Sequence, residues 1–297
     1  MTPAEKGFLL LTSHLGSPER APLTVAQFRT LTQRVQSMEK PKDNRNLCRE
    51  DLEGLGYEQE TALRILHLLE GQAELASYVQ RGEKQGCVPI TRVSRLYPAA
   101  LRRKLGMDAP GCLWAKGNLS LLEGPFVSLV GSRELKAPNR RYAEYVGAQA
   151  AREGFTLVSG NARGADRTAQ DSCLSWGGTV VSVVADELYR QHGGENILYL
   201  SEDSFDSPFT APRALSRNRV IHCLGSVTFV AQTDLGQGGT WDGTAKNLRR
   251  GWSPVYGFPD GSAGMEELIR MGAEPLEQPA AFQSLNETNL CLEDFYE

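Results

Sequence analysis

The sequence predicts an α/β fold, a doubly wound and mostly parallel sheet preceded by a small helical domain. Three observations predict it. From Phe126 onward, short β-branched apolar runs alternate with helical segments, as strands buried on both faces require. The first 80 residues instead carry leucines at helical spacing. The chain also turns abruptly small at the end of two strand-like runs, at Gly131-Ser132-Arg133 and at Ser159-Gly160. In an open α/β sheet, that carboxyl edge is where ligands bind.

The elements follow in order. Residues 1–80 form a helical N-terminal domain. Thr24 is placed to cap a helix over Val25–Met38, and Pro22 lies just before it. The polar stretch from Pro41 to Asn46 interrupts the pattern. Leu52, Leu55, Ala62, Leu63, Ile65, Leu66, Leu68 and Leu69 then recur at helical spacings. The Leu52-Glu53-Gly54-Leu55-Gly56 run reads as the turn of a small helical module that either packs or touches a DNA backbone. Residues 81–124 form a connector with a short strand at Val88-Pro89-Ile90, a short helix that follows Tyr97-Pro98 and runs through Leu105, and a strand from Cys112 that turns at Gly117-Asn118. Residues 125–276 hold the main domain. Its strands are expected at Phe126–Val130, Phe155–Val158, Thr179–Val184, Val227–Val230 and Pro254–Tyr256. Its helices are expected at Arg140–Glu153, Asp166–Trp176, Ser216–Leu224 and Trp241–Arg250. Residues 277–297 carry five acidic and no basic side chains and read as an acidic tail.

Bulk composition excludes several classes. The chain has 297 residues and 40% hydrophobic content, enough for a sizeable core. Its six cysteines show neither CxxC nor zinc-ligand spacing, so they read as reduced thiols and imply no metal. The apolar run Phe8–Leu11 is too short for a signal peptide, and no stretch approaches a membrane span. A cytoplasmic chain without membrane contact is expected. The formal charge is −4, yet Pro89–Tyr145 carries ten Lys/Arg against four Asp/Glu, a basic middle beside the acidic end.

The motifs point to phosphate. In Gly131-Ser132-Arg133 the glycine permits a tight turn, the serine donates, and the arginine offers a bidentate fork. Ser159-Gly160-Asn161-Ala162-Arg163-Gly164-Ala165-Asp166 ends the second strand. Asp166 is expected to cap the following helix, leaving Arg163 and Arg167 for ligand. Arg217-Asn218-Arg219 is expected at a helix start, where positive charge opposes the macrodipole and invites an anion. Gly238-Gly239-Thr240 forms a later Gly-rich loop placed to close on the same ligand. His222 lies on an apolar segment and reads as a core residue, and Trp241 either stacks on a base or lies in the core. No nucleophile elbow, Walker lysine or HExxH motif is present, so no catalytic residue and no cofactor are assigned.

Taken together these motifs resemble the DNA processing protein A family (DprA, also called Smf). The resemblance runs roughly from Arg92 to Pro275. It rests on Leu96-Tyr97-Pro98, Leu113-Trp114-Ala115-Lys116-Gly117-Asn118, Val130-Gly131-Ser132-Arg133, the Ser159–Asp166 run, Gly177-Gly178-Thr179, Leu200-Ser201-Glu202, Arg217-Asn218-Arg219-Val220-Ile221 and Met271-Gly272-Ala273. It implies an extended Rossmann-like fold, single-stranded DNA binding, a homodimer, and help in loading a recombinase during DNA uptake. It also implies that Arg133, Arg217 and Arg219 line the DNA-phosphate pocket, with Lys116 as a further candidate. The chain departs from the family at Ala169-Gln170, where an Ala-His pair is usual, at Ala185-Asp186-Glu187, and at Gln237–Ala245; no segment the size of a winged helix follows Pro275. The altered Gly238-Gly239-Thr240-Trp241 loop also resembles the GGxGT loop of nucleotide phosphoribohydrolases. The alternative is therefore a protein that binds or hydrolyses nucleotides with Glu202 or Asp242 as acid or base, or a nucleotide sensor in phage defence.

Overall fold

Two threonines start the first two helices. Thr2 accepts from the Glu5 amide at 3.3 Å while the Glu5 carboxylate accepts from the Thr2 amide at 2.6 Å. Thr24 and Gln27 repeat the same reciprocal cap. The computed structural model describes residues 1–17, 19–38, 46–202 and 204–287. It divides into two units, Met1–Tyr97 with Pro110–Leu113, and Pro98–Ala109 with Trp114 onward.

The first unit holds α1 (Pro3–Thr12), α2 (Val25–Gln36), α3 (Arg49–Gly54), α4 (Gln59–Glu70), α5 (Gln72–Lys84) and β1 (Val88–Thr91). Its core gathers Leu11, Leu23, Leu31, Leu52, Ala62, Ile65 and Leu68. Several of its cations are occupied internally. Arg20 donates to the carbonyls of Leu10 and Leu68 at 2.8 Å and pairs with Glu74 at 2.8 Å. Arg34 lies 4.5 Å over the Tyr57 ring. Most of the polar break at Pro41–Asn46 lies outside the described residues.

The second unit carries α6 (Ala99–Leu105), β2 (Cys112–Gly117) from Trp114 on, β3 (Phe126–Val130), α7 (Ala137–Arg152), β4 (Thr156–Ser159), α8 (Ala165–Ser175), β5 (Thr179–Val184) and β6 (Ile197–Glu202). These are followed by α9 (Ala211–Leu224), β7 (Thr228–Val230), α10 (Gly238–Arg250), β8 (Val255–Gly257), α11 (Ala263–Arg270), β9 (Glu274–Pro275) and α12 (Phe282–Glu287). From β2 the strand order is β2-β6-β5-β4-β3-β7-β8-β9. The pairings from β6 to β9 are all parallel. This is the mostly parallel, Rossmann-like sheet expected from the sequence.

Alternation along β3 shows that the sheet is covered on both faces. Val127 and Leu129 pack into the cluster that holds Tyr142, Val146 and Ala150 of α7 and Ala169 of α8. Ser128, pointing the other way, donates to the Ile221 carbonyl of α9 at 2.6 Å. Helices α7 and α8 therefore cover one face and α9 the other. Gly147 lets α7 and α8 approach closely, because a Cβ there would strike the Ala169 carbonyl. The segment expected to begin an acidic tail is anchored instead. Phe282 is fully buried against Phe155 and Phe229, and the Glu153 carboxylate accepts from the Ala281 and Phe282 amides. Residues 288–297 lie outside the described residues. No helix among the described residues is long and apolar enough to cross a membrane.

His222 is a core residue. It is almost wholly buried, and its ring meets Thr228 Oγ1 at 3.3 Å and the Asn247 amide at 3.2 Å. Burial, with the charges of Lys104 and Arg217 behind it, pushes its pKa down to about 3. A depressed folded-state pKa means that the unfolded chain binds the proton more readily. Stability is then full above about pH 6.5 and is lost as pH falls toward about 3. Urea midpoints measured across that window should fall with acid, and His222→Gln should flatten the slope by about one proton.

Candidate functional site

The strand order reverses at β3, between β4 and β7, and the open crevice lies at the carboxyl ends there. Gly131 turns the chain off β3. A Cβ on it would collide with the methyl of Ala165 and crowd that of Ala231. The Ser132 amide donates to the Gln232 carbonyl at 3.0 Å, and the Ser132 carbonyl accepts from the Ala165 amide at 3.1 Å. The Gln232 side chain clamps the rest of the turn, donating to the Glu134 carbonyl at 2.9 Å and accepting from the Lys136 amide at 3.0 Å. Arg133 stands exposed at the tip of this fixed loop, with no ion pair among the described residues.

The second loop lies beneath. Ser159 donates to the Leu129 carbonyl at 2.8 Å. The Gly160 carbonyl accepts from Ser182 Oγ at 2.9 Å and from the Gln170 side-chain amide. Gln170, at the position where the resembled family has histidine, thus supports the loop from below. Gly164 adopts φ +86° and packs on the carbonyls of Ser132 and Arg133. Asp166 is not the helix cap. The N-cap of α8 is Gly164, and Asp166 is buried, accepting from the Ala162 amide at 3.3 Å and facing Arg217 at 3.6 Å. Burial raises the Asp166 carboxyl above its ordinary value, and the Arg217 guanidinium opposes that rise.

Two helix starts differ from the sequence expectation. Helix α9 begins at Ala211, capped by Thr210 and carrying Pro212 in its first turn, so Arg217-Asn218-Arg219 sits mid-helix and the macrodipole argument for an anion does not apply to it. At about 100° per residue, side chains two apart diverge. Arg217 reaches across Gly160 to Asp166, whereas Arg219 pairs with Glu202 at 3.2 Å. Between them Asn218 donates to the Gly239 carbonyl at 2.8 Å. The second difference is at Gly238-Gly239-Thr240, which forms the first turn of α10 rather than a loop. Its helix N-terminus, with free amides and a positive dipole end, therefore borders the crevice.

The outcome is a cleft of about 510 Å³ lined by Gly131, Ser132, Arg133, Arg217, Asn218, Gly238, Gly239 and Thr240, with Phe209, Leu215, Gln237 and Asp234 on its walls. A second pocket of about 230 Å³ shares Arg133, Arg217 and Phe209 and adds Asn161 and Arg163. Arg163 is exposed and pairs with Glu134 at 3.0 Å. Ser159, Gly160 and Gly164 form the floor beneath and do not line either pocket. Lys116 and Arg219 stand outside both, and Lys116 donates to the Tyr189 carbonyl at 2.6 Å. Trp241 is half-buried and lines neither pocket. Neither carboxylate of the hydrolase alternative lines the cleft: Glu202 accepts from Ser216 and Arg219, and Asp242 pairs with Lys246 at 2.8 Å.

Sequence reasoning missed Phe209, Arg213 and the pairing role of Asp166. Phe209 is 52% exposed, unusual for a phenylalanine walling a cleft. Arg213 holds its segment in place, donating to the carbonyls of Ala185, Ser207 and Pro208 at 2.8–2.9 Å. The available signal was the N-terminal Thr210-Ala211-Pro212 of α9, which puts Arg213 in the first turn, beside the loop that carries Phe209.

Comparison with known proteins gives a consistent result. The model of the DNA recombination-mediator protein A family matches residues 89–286. DNA processing protein DprA of Streptococcus pneumoniae (strain ATCC BAA-255 / R6) is 30% identical over 182 residues, covering 56% of this chain and 64% of that relative. An X-ray structure of DNA processing protein A from Streptococcus pneumoniae superposes with TM-score 0.72 and 22% identity, over 94% of this chain and 96% of that one. The Helicobacter pylori protein, solved for its single-stranded DNA binding mode, superposes with TM-score 0.55 and 22% identity, over 68% and 94% of the two chains.

Proposed function

The chain belongs to the DNA recombination-mediator protein A family, and from that premise we propose that it binds single-stranded DNA in the cleft at the strand-order reversal. One observation carries the reading. Arg133 and Arg217 converge on two adjoining pockets beside an exposed aromatic ring, Phe209, and the N-terminus of α10. Two nearby cations favour an anion between them, and a helix N-terminus receives phosphate oxygens on its free amides. An exposed ring offers a base its π-face without reading sequence. The Helicobacter pylori relative binds single-stranded DNA, and the same ligand suits this cleft.

The test is fluorescence anisotropy of the purified chain with labelled single-stranded and duplex oligonucleotides, at about 50 and about 200 mM salt. Single strands should bind more tightly than duplex, with affinity falling steeply as salt rises. Displacement by mononucleotides at stoichiometric levels would overturn the reading. Phe209→Ala should weaken single-strand binding by roughly 5- to 150-fold, the range of one lost base stack, with an unchanged melting temperature because the ring is exposed. As part of the same proposal, the chain protects incoming DNA, forms a homodimer and passes the strand to a recombinase in the cytoplasm. Sedimentation with and without DNA tests the dimer. A strand-exchange assay with a bacterial recombinase tests the transfer.

A further inference from the structure

Arginines gather a second time in this unit, on the face that α7 and α8 cover. An open groove of about 770 Å³ runs between these helices and is lined by Arg140, Arg141 and Arg152 of α7, with Thr168 of α8 and Trp176 just beyond it. Trp176 is 57% exposed, and the Arg152 guanidinium lies 4.1 Å over its ring. None of the three arginines forms an ion pair among the described residues, although Glu144 and Asp171 also border the groove. Arg140 instead donates to Thr168 Oγ1 at 3.3 Å.

We propose that this groove is an exit track for the single strand held in the cleft, ending on Trp176 as a stacking platform. The inference rests on the DNA-binding reading of the cleft and extends it. Three features support it. The groove and the cleft lie close along the chain: Arg163 lines the second pocket, and Thr168, which lines the groove, lies one turn into α8, which starts two residues after Arg163. Its length suits a strand. Arg140 and Arg152 are twelve residues apart on α7, roughly 18 Å at 1.5 Å per residue, room for at most about five phosphates, the number reached at the stacked-duplex spacing of about 3.4 Å per strand. Its chemistry matches too, because unpaired guanidiniums neutralise phosphates while an exposed indole beside a cation stacks on bases of any sequence. A buried role for Trp176 is excluded by its exposure.

The experiment compares the full chain with two double variants, Trp176→Ala/Arg152→Gln and Arg140→Gln/Arg141→Gln. All of these side chains are exposed or groove-lining, and the second variant leaves the indole in place should the first disturb α8. Each is titrated with oligothymidylates of roughly six nucleotides, which fit the cleft alone, and roughly twenty, which reach the groove. The expected result is unchanged affinity for the short strand and about tenfold weaker binding of the long one, with a shallower salt dependence in the arginine variant. Long-strand affinity unchanged in both variants overturns the track, and so does a loss of equal size at both lengths. Wild-type chain that fails to bind even the short strand sinks the cleft reading and the track with it, whereas intact short-strand binding with no length dependence sinks the track alone. A fall in assembly mass caused by Trp176→Ala/Arg152→Gln in light scattering would reassign the groove as an interface between copies of this chain.

Discussion

Arg217→Lys is expected to lower single-stranded DNA affinity about tenfold while leaving the chain folded, and to leave the salt dependence nearly unchanged. The lysine keeps one positive charge against Asp166, which faces Arg217 at 3.6 Å in a buried site. What it loses is the planar fork that holds two oxygens at once. One lost charge-assisted hydrogen bond costs about 1.5 kcal/mol, a tenfold change in Kd. A point charge still releases a counterion, so the dependence on salt persists. Arg217→Ala asks a different question. It leaves the Asp166 carboxylate buried without its partner, a loss of about 3–5 kcal/mol against a total stability of about 5–15 kcal/mol. The alanine variant therefore reports on folding as much as on binding. Arg133→Gln completes the comparison. Arg133 is exposed and makes no ion pair among the described residues, so its loss should leave stability intact and make the salt slope shallower by about one. A salt slope for Arg133→Gln equal to that of the unaltered chain would show that Arg133 does not contact phosphate, and unchanged affinity for Arg217→Lys would show that the Arg217 fork does not hold one.

How much of this was legible in the sequence follows from which signals are local. The parallel strands were legible because both faces of each are covered, so Val180, Val181, Val183 and Val184 form a run broken only by Ser182, the valines all at 0–1% exposure. The small residues at the carboxyl edge were legible because close backbone packing excludes side chains, as Gly131 and Gly164 show. Helix starts were not. Gly238 and Gly239 have poor helix propensity and read as loop, yet they form the first turn of α10. Ala211-Pro212 was passed over for the same kind of reason, since proline punctuates a chain but also opens helices. Partners were the least legible. That Arg217 faces Asp166 while Arg219 faces Glu202 depends on where α9 crosses the sheet, which no spacing along the chain encodes. Lys116 was assigned through the family resemblance alone, and the topology gives it a carbonyl instead. Phe209 lies in a stretch with no periodicity, so nothing local distinguishes it from a loop residue.

Gly164→Ala is expected to be the most disruptive single methyl in the site. Gly164 sits at φ +86°, ψ −128°, a region glycine occupies almost alone and in which another residue carries about 1–3 kcal/mol of strain. The new Cβ would also drive into the Ser132 and Arg133 carbonyls. Those are backbone atoms, and they can withdraw only by breaking the hydrogen bond from the Ala165 amide to Ser132, now 3.1 Å. Strain and collision together set the expected loss at about 3 kcal/mol or more, a fall in melting temperature of roughly 6–12 °C for a unit this size. Gly177→Ala is the control. Gly177 also has positive φ, at +75°, but a Cβ there meets nothing within 4 Å, so it should lose only the conformational part, about 1–2 kcal/mol. The difference between the two variants isolates the contact of the second loop with the first. It also predicts function. Any relaxation that admits the methyl must move Arg133, so Gly164→Ala should bind single strands more weakly even well below its melting temperature, while Gly177→Ala binds normally. If the two variants melt together and bind alike, the tight seating of one loop on the other does not position Arg133, and the rigid-cleft account of DNA binding is wrong.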